Sequence, residues 1–175
     1  MRVLSLVAAI GLAGALVAVA QRNQQPSDDA ALMKSFVGMW RLVSWPERLS
    51  DGTTKQNPEG AAYLIYTNSG HMCFVAMNPK RPKWKSQTSP TAEEMASALS
   101  NDGFYAYCGK VEVHAKEGFV IHHIEIDKVP NLVGATRKRW FKFEGPNRLS
   151  LRIDSPAAPV VESTLVWERV QETGE

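Results

Sequence analysis

The chain has 175 residues, with 20 Lys and Arg against 18 Asp and Glu, for a formal net charge of +2. That length suits one domain with one core and is short for two. The near-neutral balance gives no electrostatic warrant for nucleic acid or an anionic membrane surface as partner.

Residues 1–20 read as a secretory signal peptide: Arg2, an apolar run from Val3 to Ala20, and the small-residue ending Ala18-Val19-Ala20 before Gln21. The competing reading is a retained anchor, since the run is near the minimum for a membrane span, about 18 residues. The ending favours cleavage, and no cysteine follows it to carry a lipid. Cleavage leaves 155 residues and a net charge of +1, because Arg2 is the one charged residue removed. The expected destination is secreted or periplasmic, with no membrane insertion after cleavage.

Residues 21–34 are assigned to a flexible tether, polar from Gln21 to Ala30, with one short helical turn expected over Asp29 to Ser35. A barrel domain is expected over 35–170 and a short tail over 171–175. Strands are predicted over Gly38 to Leu49, Ala61 to Thr67 and His71 to Met77, with Asp51-Gly52 and Asn68-Ser69-Gly70 as turns. The stretch Asn78 to Ser86 carries prolines that deny it a ladder. Thr91-Ala92-Glu93-Glu94 then forms a capping box, which predicts a helix to about Ser100.

Five more strands follow: Phe104–His114, Phe119–Asp127, Gly134–Glu144, Arg148–Asp154 and Val160–Val170. Their short turns make neighbours antiparallel. The fold class is therefore all-β: an eight-stranded antiparallel up-and-down barrel with one short flanking helix. Eight strands is also the number whose closed barrel holds one small ligand. Closure is written into the two ends. Gly38-Met39-Trp40 opens the first strand and Trp167-Glu168-Arg169 closes the last, so that Trp40 plugs one end and Arg169 lies across its indole.

Alternation assigns the faces. Tyr105, Tyr107, Val111 and Val113 are expected inside, with Lys110, Glu112 and His114 wet. In the next strand Val120, His122, Ile124 and Ile126 are the expected interior, against His123, Glu125 and Asp127. Phe141 and Phe143 share parity with Arg137 and Arg139, so at least one arginine is expected to face in. The run Arg137-Lys138-Arg139 is split between two faces and makes no basic patch.

The chain resembles the bacterial and fungal lipocalin-like domain proteins. The resemblance is carried by Phe36-Val37-Gly38-Met39-Trp40-Arg41-Leu42-Val43-Ser44, Tyr63-Leu64-Ile65-Tyr66-Thr67, Gly70-His71-Met72, Tyr107-x-Gly109, His122-His123, Pro130-Asn131-x-Val133-Gly134 and Leu165-Val166-Trp167-Glu168-Arg169. It implies a calycin-like barrel with a small-molecule cavity, and no single activity. Small residues are commoner in that family at Cys73 and Cys108. Spacing leaves the two thiols as lone buried groups, the plainer reading, or as a bridge, and this departure from the family adds weight to the bridge.

The candidate ligand-binding residues are Tyr63, His71, Tyr107, His122, Asn131 and Arg139. His122 would place an imidazole inside the cup, either to meet a ligand or to be satisfied by Tyr107 or a carbonyl. Arg139 would grip an anion bidentately or pair with a barrel carboxylate. Tyr63 and Tyr107 would stack on a ligand or pack the wall, and Trp140 is expected to pack the wall. His71 lines the rim or merely starts its strand; Asn131 reads a polar group or satisfies its loop. His122 and His123 point to opposite faces and no other spacing resembles a zinc site, so no metal is predicted; no cofactor is expected either. No nucleophile elbow, phosphate loop or dinucleotide fingerprint occurs. The expected function is binding or carriage of a small, mostly apolar ligand with one polar or anionic group. The alternative is a small isomerase or cyclase using His122 and Tyr107 on a hydrophobic metabolite.

Overall fold

A computed structural model describes residues 28–57, 61–100 and 103–171. Residues 1–20, read above as a signal peptide, residues 21–27 of the expected tether and the tail from 172 lie outside the described residues. Helix α1 (Asp28–Phe36) leads into strand β1 (Gly38–Ser44), then β2 (Pro46–Leu49), β3 (Thr54–Gln56), β4 (Ala61–Tyr66) and β5 (His71–Met77). Helix α2 (Ala92–Leu99) follows, then β6 (Phe104–His114), β7 (Phe119–Asp127), a 3-10 turn (Pro130–Leu132), β8 (Thr136–Phe143), β9 (Arg148–Ile153) and β10 (Val160–Arg169).

The antiparallel order is β1-β4-β5-β6-β7-β8-β9-β10, and β10 returns to β1 with Trp40 opposite Arg169 and Leu42 opposite Trp167. The sheet closes into an eight-stranded barrel. The first strand, expected as one piece from Gly38 to Leu49, breaks at Trp45. Its second half still pairs with β10 across a register shift, and it carries β3 out as a short hairpin at the rim. Asp51 accepts from the Thr53 amide at 2.9 Å to shape that hairpin's turn. Helix α1 has nine residues rather than one turn, and it takes in residues 28–34 that were assigned to the tether. The capping box on α2 forms as read: the Glu94 amide donates to Thr91 Oγ1 at 3.2 Å, and the Thr91 amide to Glu94 Oε2 at 2.8 Å.

One end of the barrel is a packed floor. Trp40 is fully buried, its Nε1–H donates to Phe36 O at 2.8 Å, and the Arg169 guanidinium lies 4.0 Å from its ring centroid. Arg169 also donates to Val37 O, Ser35 O and Pro146 O at 2.5, 2.7 and 3.0 Å. Gly38 is obligatory here: its φ is +131°, and a Cβ would stand 2.6 Å from Arg169 Nη1. Phe36 seals the floor edge-on against Tyr66, Phe141 and Phe143, at 5.2, 5.2 and 4.9 Å.

Two features of the wall shape what the other end can hold. Cys73 and Cys108, directly opposite on β5 and β6, form a disulfide. Between β6 and β7 the register slips: Cys108 faces Ile126, and Gly109 faces Ile124. Glu125 is the extra residue of a β-bulge. Gly109 permits it, because a Cβ there would lie 1.8 Å from His123 O. Past the bulge the parity reverses. Ile126, expected inside, is exposed, and Asp127, expected in solvent, has a fully buried side chain.

Candidate functional site

Above the floor, inward residues from most strands leave a chamber of about 120 Å³. Leu64 of β4, Phe74 of β5, Leu151 and Ile153 of β9, and Leu165 of β10 supply its apolar wall. Trp45, at the break after β1, and Trp167 of β10 add indoles; Trp167 Nε1 is buried with no hydrogen-bond partner among the described residues. Tyr105 and Tyr107 of β6, His122 of β7, and Arg137 and Arg139 of β8 bring the polar groups.

The chamber opens at the rim in two directions. Toward β3 and the 3-10 turn it shares Trp45, Phe74 and Tyr105 with a mostly apolar mouth of about 600 Å³, which Leu42, Ala62, Ala76, Met77 and Leu132 also line. Toward the β9–β10 connection it shares Arg137, Arg139 and Ile153 with a more polar groove of about 520 Å³.

His122 is 1 % exposed, and both ring nitrogens are engaged: Nε2 lies 2.9 Å from Tyr66 Oη and Nδ1 lies 3.2 Å from Tyr107 Oη. Burial, reinforced by the positive charges of Arg139 and Arg137, holds its pKa well below the ordinary imidazole value, so the ring is neutral at physiological pH. Burial likewise raises Tyr107, opposed by Arg139 and Arg137. Burial also holds Tyr66 well above the ordinary phenol value, so both phenols keep their protons.

The two arginines are held differently. Arg137 pairs with Asp127 at 3.3 Å and stacks 4.6 Å from the Tyr107 ring centroid. Asp127 also accepts from Tyr105 Oη and from the Val129 amide, both at 2.8 Å. Tyr105 Oη and Arg137 Nη2 are in close contact as well. Burial and then the Asp127 hydrogen bond push Tyr105 up to about 12. Arg139 has no such carboxylate: Nη1 donates to Lys138 O at 2.8 Å, and no ion pair to Arg139 occurs among the described residues. Its guanidinium faces the chamber with donor capacity to spare.

Of the six residues singled out from sequence, the structure brings Tyr107, His122 and Arg139 to one chamber and leaves three elsewhere. Tyr63 is exposed on the outer face, because β4 buries Ala62, Leu64 and Tyr66. His71 is exposed at the β4–β5 turn, its Nδ1 3.1 Å from Ser69 Oγ. Asn131 is exposed on the 3-10 turn, and its neighbour Leu132 reaches the mouth instead. Trp140 packs on the outer wall as expected, under Lys138 and Arg152, with its Nε1–H donating to Asp154 at 2.8 Å. His123 also points outward, to Glu112 at 2.8 Å. Sequence reasoning missed Tyr66, whose shared parity with Leu64 was the available signal, and Trp45, which sits at an unforeseen break.

A model of the lipocalin-like domain matches residues 37–170. The chain belongs to the lipocalin-like domain family. Among curated proteins none matches it. Two solved structures similar to this lipocalin-like chain are designed proteins. One is a redesigned β-barrel, 14 % identical, covering 79 % of this chain and 95 % of that one with a TM-score of 0.40. The other is a de novo designed fluorescence-activating β-barrel, 16 % identical, covering 81 % and 98 % with the same TM-score of 0.40.

Proposed function

We propose that this lipocalin-like protein binds or carries a small, mostly apolar molecule bearing one anionic group, in a secreted or periplasmic setting. The observation that carries the reading is Arg139: a guanidinium facing a mostly apolar chamber with no carboxylate paired to it among the described residues. A half-buried cation without a counter-charge is costly, and an anionic ligand removes that cost. Size divides the ligand in two. A chamber of about 120 Å³ takes a polar head and a few carbons, and the apolar mouth of about 600 Å³ takes the remainder. The signal-like segment at residues 1–20 supports export.

Trp45 and Trp167 line the chamber and report on its contents. Titration of the purified protein with octanoate and with octanol, followed by tryptophan fluorescence, is expected to favour the carboxylate by about tenfold or more, the worth of one charge-assisted hydrogen bond. Arg139→Leu is expected to abolish that preference while leaving octanol binding in place. No response to either compound, or an unchanged preference in the variant, contradicts the reading.

A further inference from the structure

The hydrogen bonds around His122 have a direction, and the direction says what the chamber reads. A neutral imidazole donates through one nitrogen and accepts through the other. One of the two flanking phenols therefore gives its proton to the ring, and the other receives one. The phenols are not equivalent. Tyr66 is 1 % exposed, packed against Phe36 in the floor and absent from the chamber wall, and its hydroxyl has no partner but His122 among the described residues. Were Tyr66 the acceptor, its own proton would be buried with nothing to receive it. With Tyr66 donating to Nε2, the Nδ1–H donates to Tyr107 Oη, and the Tyr107 proton is left for the chamber that Tyr107 lines.

The other polar groups on this wall point to the same chemistry. Arg139 has only donors. The buried Trp167 Nε1–H has no partner among the described residues. The nearby carboxylate, Asp127, is already occupied by Arg137, Tyr105 and the Val129 amide. Among the described residues, the chamber lining therefore offers a ligand chiefly donors and no uncommitted carboxylate.

We propose that the chamber selects an acceptor-only head group, a carboxylate, and that Tyr66 enforces this from outside the chamber by fixing His122 as the Nδ1–H tautomer. The proposal rests on the binding reading above and deepens it: Tyr107, Arg139 and Trp167 touch the head group, whereas Tyr66 and His122 are positioning residues.

The tautomer is measurable without any ligand. Nitrogen NMR on protein carrying ¹⁵N-histidine is expected to show His122 protonated at Nδ1 and bare at Nε2 at neutral pH. The Nε2–H form overturns the proposal. In the titration with octanoate and octanol, Tyr66→Phe keeps the ring and its packing but removes the donor. It is expected to lower the ratio of carboxylate to alcohol affinity several-fold, although residue 66 touches neither compound. Tyr107→Phe is expected to lower the ratio at least as far. An unchanged ratio in Tyr66→Phe, with the variant folded as judged by circular dichroism, overturns the relay while leaving the Arg139 reading intact. Failure of octanoate to bind the unaltered protein overturns both readings, whatever the tautomer.

Discussion

His122 is neutral because its surroundings exclude water and hold positive charge. Arg137 and Arg139 reach the chamber from β8, two phenols cover its nitrogens, and the nearby Asp127 carboxylate is committed to Arg137. This has a consequence for stability. In the unfolded chain the ring takes a proton below about pH 6.5, whereas the folded ring resists it. Below that pH the unfolded state binds more protons, so stability falls as pH drops from about 6.5 toward 5. The outer-face carboxylates with lowered pKa, Glu112 through its His123 hydrogen bond and Asp154 through its Trp140 hydrogen bond, act in a lower window, below about pH 4. Thermal unfolding of the protein is expected to show a midpoint that declines between pH 6.5 and 5, and His122→Gln is expected to flatten that decline. Equal slopes in the two proteins contradict the assignment. Sequence reasoning reached Tyr107, His122 and Arg139 because strict alternation, anchored on apolar neighbours, applies to β6, to β7 as far as Ile124, and to β8. It misplaced Tyr63 because β4 is apolar on both faces, Tyr63 and Ile65 outside against Leu64 and Tyr66 inside. Alternation without a polar face carries no sign.

The β6–β7 pair shows why some of the site was illegible from sequence. A bulge inserts one residue, reverses every parity beyond it, and leaves no mark stronger than a glycine on the partner strand. Gly109 was visible as part of a motif, but its close approach to His123 O appears only once the strands are paired. The reversal is what turns Asp127 inward to hold Arg137, leaving Arg139 alone with the chamber. Gly109→Ala is expected to destabilise the barrel by about 3 kcal/mol or more, because the added carbon collides with backbone rather than with a flexible side chain. A fall in urea midpoint smaller than that expected for about 1 kcal/mol contradicts this account of the bulge. The neighbouring pair carries the disulfide. Cys73 and Cys108 are separated by 35 positions, so their bridge closes a loop whose entropy is worth about 3–4 kcal/mol in the chain-entropy model. Urea unfolding of the oxidised protein is expected to lie correspondingly above that of the Cys73→Ser, Cys108→Ser double variant. Coincident curves contradict a stabilising bridge.

At the scale of the whole molecule, closure was the most legible feature. Gly38, Trp40 and Arg169 lie 131 positions apart at their extremes, yet each requires the others: the glycine makes room for the guanidinium, which covers the indole and ties down three carbonyls. Such mutual dependence shows in a sequence because each residue type is unusual for its place. The rim was harder to read. Trp45 breaks the first strand, β3 extends beyond the barrel, and α1 is longer than its composition suggested, all set by tertiary packing rather than local pattern. The result is a vessel with a sealed floor, a small donor-lined chamber above it and an apolar mouth. We infer that an anion sits in that chamber against Arg139. In a crystal structure of the protein with octanoate, the carboxylate is expected within hydrogen-bonding distance of Arg139 and Tyr107, its chain leading out past Trp45 and Phe74; octanoate on the outer wall, or Arg139 turned away from a chamber that stays empty at saturating ligand, contradicts this reading.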